Sequence, residues 1–111
     1  MSTDSRKDAI AAYKERKPVP GIYAVRCTAN GEAWIGAAPD LTTIATRLWF
    51  TLRHGSHTTR TLAAAWRAHG EAAFVFEEVE RLEPEAIVAV RDKAMRDRAA
   101  HWRALLGAVP I

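Results

Sequence analysis

From Thr42 to Gly70 the chain has no aspartate or glutamate, yet Arg47, Arg53, Arg60 and Arg67 fall there with His54, His57 and His69. A guanidinium is a planar fork that matches phosphate oxygens bidentately, and an imidazole exchanges protons near neutral pH. The stretch therefore predicts a surface for phosphates. The acids gather later, at Glu77, Glu78, Glu80, Glu83 and Glu85, so one positive and one negative side are expected. Arginine outnumbers lysine 12 to 4; taken alone, that bias fits arginine used for solubility as well as it fits phosphate binding. Asp92 has chemical meaning of a different kind. It recurs at helical spacing with Val88, Met95, Ala99, Trp102 and Leu106, and a carboxylate on an otherwise apolar stripe needs a cation, a metal ion or hydrogen bonds. A metal ligand and the partner of a nearby arginine are equal readings of it.

The elements that must position these groups follow from hydrophobic period and turn residues. Asp4 or Ser5 can cap a helix running to about Arg16, anchored by Ile10 and Tyr13 and stopped by Pro18 and Pro20. Residues 1–19 are thus expected to be a helical appendage to a domain over 20–111. Gly21 to Thr28 and Glu32 to Gly36 read as two strands, with Asn30-Gly31 supplying the positive φ angles of a tight hairpin turn. Alternation puts Tyr23, Val25 and Cys27 on one face and Ile22, Ala24 and Arg26 on the other. Pro39-Asp40 opens a helix carrying Leu41, Ile44, Ala45, Leu48 and Leu52, with Arg47 beside that stripe and Gly55 closing it. Ser56 to Thr59 offers capping hydroxyls for a second helix, with Leu62, Ala65 and Trp66 inward and Gly70 at its end. Ala72 to Val79 reads as a third strand, and Pro84 suits the first turn of a long closing helix. The expectation is an α/β (α+β) domain with a three-stranded antiparallel sheet flanked by helices.

Gly21-Ile22-Tyr23 followed after a hairpin-length gap by Trp34-Ile35-Gly36 resembles the paired motif of the GIY-YIG nuclease superfamily. Gly55-Ser56-His57, Leu62 with Ala65-Trp66, His69-Gly70 and Phe74-Val75-Phe76-Glu77 extend the resemblance over roughly residues 20–83. It implies phosphodiester hydrolysis assisted by one divalent ion, Mg2+ or Mn2+. It also implies adjacent tyrosines near the attacking water, a helix arginine on the phosphate and a glutamate of the last helix on the metal. Carried over by position, Tyr23 stands at the first motif tyrosine. Trp34 replaces the second, and its indole can donate a hydrogen bond but cannot act as a base; packing the sheet is the favoured reading of it, ahead of stacking on a base. The arginine position falls on Ile44, so Arg47, one turn later, is the nearest substitute. His57 keeps a histidine found in some homing members, where it could orient water or bind phosphate; fixing the Gly55 turn is an equal reading. Asp92 stands one residue from the position of the metal-binding glutamate.

Several classes are set aside by composition. No apolar run approaches the ~20 residues needed to cross a bilayer, and the polar N-terminus does not read as a signal peptide. A cytoplasmic protein is expected. Cys27 is the single cysteine, so no internal disulfide or cysteine-based zinc site is expected. The leading reading is a small nuclease using Tyr23, Trp34, Arg47, His57 and Asp92, with Arg53, Arg60 and Arg67 on the nucleic-acid backbone, DNA rather than RNA. A noncatalytic nucleic-acid binder of the same fold is the second. A protein-interaction module using the acidic strip and the last helix is the third. Oligomeric state is not legible.

Overall fold

Gly21–Cys27 forms β1, a seven-residue strand whose alternation sends side chains into two separate cores. The computed structural model describes residues 18–111; the helix expected before Pro18 lies outside the described residues. After β1 come β2 (Ala33–Ala38), α1 (Leu41–Arg53), α2 (Arg60–His69), a 3-10 turn (Glu71–Ala73), β3 (Phe74–Arg81), α3 (Val88–Leu106) and β4 (Val109–Pro110). The sheet order is β3-β1-β2-β4, with β1 antiparallel to both of its neighbours.

The sheet has one strand more than the sequence led us to expect, because β4 runs parallel to β2 at its outer edge. Two residues, one of them Pro110, carry too little pattern to read as a strand, and proline is tolerated only at such an edge. The pairing covers Trp34 and Ile35, and Ile111 N–H donates to the Ile35 carbonyl at 2.9 Å. Beyond Ile35, no strand pairs with β2 on that side among the described residues.

Tyr23, Val25 and Cys27 pack with Trp34, Leu41, Leu48, Leu52, Leu62 and Phe74, under α1 and α2. Ile22 and Ala24 pack with Ile35 and Ala99, under α3. The expected division of β1 between two faces is therefore present. The hairpin differs in its turn. Cys27 N–H donates to Glu32 O at 2.8 Å and Gly31 N–H to Cys27 O at 2.9 Å, enclosing four residues. Gly31 alone has positive φ (78°), while Asn30 does not; its carboxamide oxygen instead accepts from Glu32 N–H at 2.9 Å.

Asp40 caps α1, accepting from Thr42 N–H at 3.1 Å and from Val19 N–H at 3.3 Å, which ties the segment before β1 to the helix start. At α2 no side chain of Thr59 caps the helix. Pro84 lies before α3 rather than in its first turn: the helix starts at Val88, and the Glu85 carboxylate accepts from Ile87 N–H at 3.0 Å. The acidic side is largely neutralised by ion pairs. Arg26 lies 3.2 Å from Glu77, Arg81 3.0 Å from Glu78 and Arg98 2.7 Å from Glu80.

Candidate functional site

Tyr23 sits on the central strand opposite Gly36. Its ring stacks on Phe76 at 5.3 Å and 21°, and its hydroxyl reaches over the glycine. A Cβ on Gly36 would lie 2.4 Å from the Tyr23 hydroxyl oxygen, so the last residue of the second triplet must lack a side chain. Burial pushes the phenol pKa up. The group therefore stays protonated near neutral pH and serves as a hydrogen-bond donor or acceptor, not as a ready base.

Around that ring, α1 and the loop before α2 complete a cleft of about 190 Å³ lined by Tyr23, Ile44, Arg47, Leu48, Thr51, Ser56, His57 and Thr58. Arg47 is exposed, and the Ile44 side of the helix meets the same cleft. Three of the sequence candidates, Tyr23, Arg47 and His57, are thus brought together from β1, α1 and the intervening loop. His57 is fixed by its own backbone: Nδ1 accepts from Thr59 N–H at 3.0 Å, so the neutral ring carries its hydrogen on Nε2. Burial lowers the imidazole pKa, and protonation of Nδ1 would also break that bond. In its neutral form His57 is a donor through Nε2. Ser56 and Thr58 were read as capping residues from sequence; their place beside the cleft depends on a loop path that local pattern does not encode.

The remaining candidates lie elsewhere. Trp34 is 1% exposed in the core, and its indole N–H donates to Thr61 Oγ1 at 2.9 Å, tying β2 to α2. It does not line the cleft. Arg53 is paired with Glu71, whereas Arg60 and Arg67 are exposed along α2. Asp92 lines a different hollow, with Ile35, Gly36, Ala37 and Met95, on the α3 side of β2. Its Oδ1 accepts from Arg91 Nε at 3.2 Å and Nη2 at 3.1 Å, and the side chain is 41% exposed. Gly36 belongs to both environments: the Tyr23 phenol covers it from one side and the Asp92 hollow includes it on the other. Among the described residues no three carboxylate, imidazole or thiol side chains cluster as a metal cage.

No protein-family profile and no curated protein matches the sequence. Two solved structures match its fold. The catalytic domain of the homing endonuclease I-TevI is 23% identical with a TM-score of 0.70, over 83% of this chain and 97% of that one. A point mutant of the catalytic domain of the intron endonuclease I-TevI is 25% identical with a TM-score of 0.68, over 80% and 84%. With Gly21-Ile22-Tyr23 on the central strand, Trp34-Ile35-Gly36 paired beside it and helices on both faces of the sheet, this chain has a GIY-YIG-like fold.

Proposed function

We propose that the chain acts on nucleic acid as a GIY-YIG-type endonuclease, DNA before RNA, receiving a backbone phosphate in the Tyr23, Arg47 and His57 cleft. The observation that carries this reading is the meeting of those three side chains, from three segments of chain, in one hollow. Arg47 brings a permanent positive charge and a forked donor set for a phosphate oxygen. The Nε2–H of His57 and the phenolic O–H of Tyr23 add neutral donors that can orient a water or an oxygen as charge develops on it. Likeness to the 25% identical catalytic domain of an intron endonuclease supports the same assignment.

Hydrolysis of this type calls for a divalent ion, and the candidate residues offer it a single carboxylate, Asp92. Mg2+ keeps most of its waters and binds through one or two carboxylates plus substrate phosphates, not in an all-protein cage. Asp92 is the acid nearest the family position, but it lines the hollow on the α3 side of Gly36 and not the phosphate cleft, so it could supply that carboxylate only to an ion held at Gly36, between the two hollows. When bound, such an ion lowers the pKa of a bound water and neutralises charge on phosphoryl oxygens. Arg91 holds Oδ1, so an ion would bind through Oδ2 or displace that guanidinium.

Purified protein incubated with single- and double-stranded DNA and with RNA, with Mg2+ or Mn2+, tests the reading. Cleavage that falls by about a hundredfold or more in Arg47→Ala, and that falls in Tyr23→Phe and Asp92→Ala, supports it. Binding with every substrate left intact would instead leave a noncatalytic binder. That second reading is favoured by the buried Trp34 and by the Arg91 hold on Asp92. In both cases affinity should fall steeply as salt rises, because phosphate contacts release counterions.

A further inference from the structure

Phe50 is 57% exposed on α1, an aromatic ring more than half open to solvent. Single exposed apolar residues are ordinary, but this one is braced. His54 lies one turn on, its ring stacked at 4.1 Å and 29° on Phe50, and its Nδ1 sits 2.8 Å from the Phe50 carbonyl oxygen. A carbonyl only accepts, so Nδ1 carries the hydrogen and the imidazole is fixed as a backing plate. Phe50 follows Arg47 by three residues and adjoins Thr51, both of which line the cleft. The stretch from Thr42 to Gly70 has no acid, and although Glu71 pairs with Arg53, exposed Arg47 lies one turn from Phe50 to attract a polyanion.

We infer that the Phe50–His54 pair is a stacking platform for one unpaired base of the nucleic acid whose phosphate enters the neighbouring cleft. A braced ring loses little freedom when a base settles on its open face, and base–aromatic stacking is tolerant of base identity because every base has a π-face. The inference rests on the nucleic-acid reading above and makes the substrate one with an unstacked nucleotide, in a single strand or at a distorted step of a duplex. An intact duplex offers no base face to the ring.

The experiment measures equilibrium binding of short single-stranded DNA containing 2-aminopurine, and of the fully paired duplex, to the wild type and to Phe50→Ala, Phe50→Leu, Phe50→Trp and Arg47→Ala. Phe50→Ala is expected to weaken single-strand binding by about 5- to 100-fold and to abolish 2-aminopurine quenching. Duplex binding should change little. Phe50→Trp should retain both signals and Phe50→Leu should not, which separates stacking from apolar bulk. Arg47→Ala should weaken single strand and duplex alike. If Phe50→Ala binds and quenches like the wild type while Arg47→Ala is impaired, the platform is overturned and the nucleic-acid reading stands. If Phe50→Ala weakens both ligands equally, base stacking is likewise overturned. If the wild type binds neither DNA, the nucleic-acid reading and the platform fail together.

Discussion

On one face of the sheet, α1 and α2 close over Tyr23, Val25, Cys27 and Trp34, and a run of rings fills the space: Trp49 stacks on Trp66 at 5.5 Å and Trp66 meets Phe74 at 5.2 Å. On the other face α3 buries only Met95 and Ala99 of its own residues, with Ala99 against Ile22 and Ala24 of β1 and Ile35 of β2. That long helix is fastened by polar bonds instead. Trp102 Nε1 donates to Glu80 Oε1 at 2.8 Å and Arg98 Nε donates to the same oxygen at 2.7 Å. Burial alone would raise the Glu80 pKa, but the bonds from Trp102 and Arg98 and the nearby positive charge outweigh it and hold the carboxyl below its usual range. Apolar packing gives the cleft face a wall that does not depend on pH. The α3 face, which carries Asp92, is held by a carboxylate that does.

The largest test of this contrast is Trp34→Ala, which should cost about 3–5 kcal/mol in urea unfolding, since it removes a fully buried ring and leaves the Thr61 hydroxyl without its donor. Trp102→Ala should cost clearly less, because that residue is only partly buried. Equal losses would break the asymmetry. Next comes Gly36→Ala, where the added methyl group meets the Tyr23 ring. Overpacking of this kind costs about 1–3 kcal/mol and should displace the phenol, visible as a changed Tyr23 ring environment in aromatic NMR spectra.

Glu80→Gln should lower stability by about 1 kcal/mol, a charge-assisted figure discounted for partial exposure. It should also flatten the acid limb of the stability profile. The folded Glu80 pKa lies below that of the unfolded chain, so its contribution is complete above the unfolded value of about 4.3 and is lost as pH falls through the folded value. An unchanged acid limb in Glu80→Gln would remove Glu80 as the fastening of α3. The smallest effect belongs to His57. Its folded pKa is lowered, so the unfolded chain takes up the proton first, and stability should decline as pH drops from about 6.5 to the folded value, then level off. His57→Gln should erase that step in a series of thermal melts.

Long elements with strong period are legible in the sequence. β1, α1, α2 and the inward stripe of α3 through Met95, Ala99 and Trp102 follow from alternation, caps and helical spacing. What escaped was decided by tertiary contact or by too few residues. β4 is two residues long and exists only because the chain after Gly107 returns along β2. The start of α3 slipped from Pro84 to Val88 because Glu85 hydrogen-bonds Ile87 N–H, a side-chain choice that Pro84 concealed. At the candidate site, spacing from the paired triplets led to Tyr23, Arg47 and His57, which share a cleft. It could not reveal that the Trp34 indole is committed to Thr61. Nor could it show that Asp92 lines the α3 side of Gly36, because helical spacing fixes a stripe without fixing which hollow each member meets.

Cys27 closes β1 with no exposed surface, held between the hairpin and Phe74 on β3. A sole thiol so placed makes the chain its own clock. An alkylating reagent can reach the sulfur only after the helices covering that face of β1 lift away, so the labelling rate, compared with that of an unfolded peptide, measures the free energy of that opening without any introduced probe.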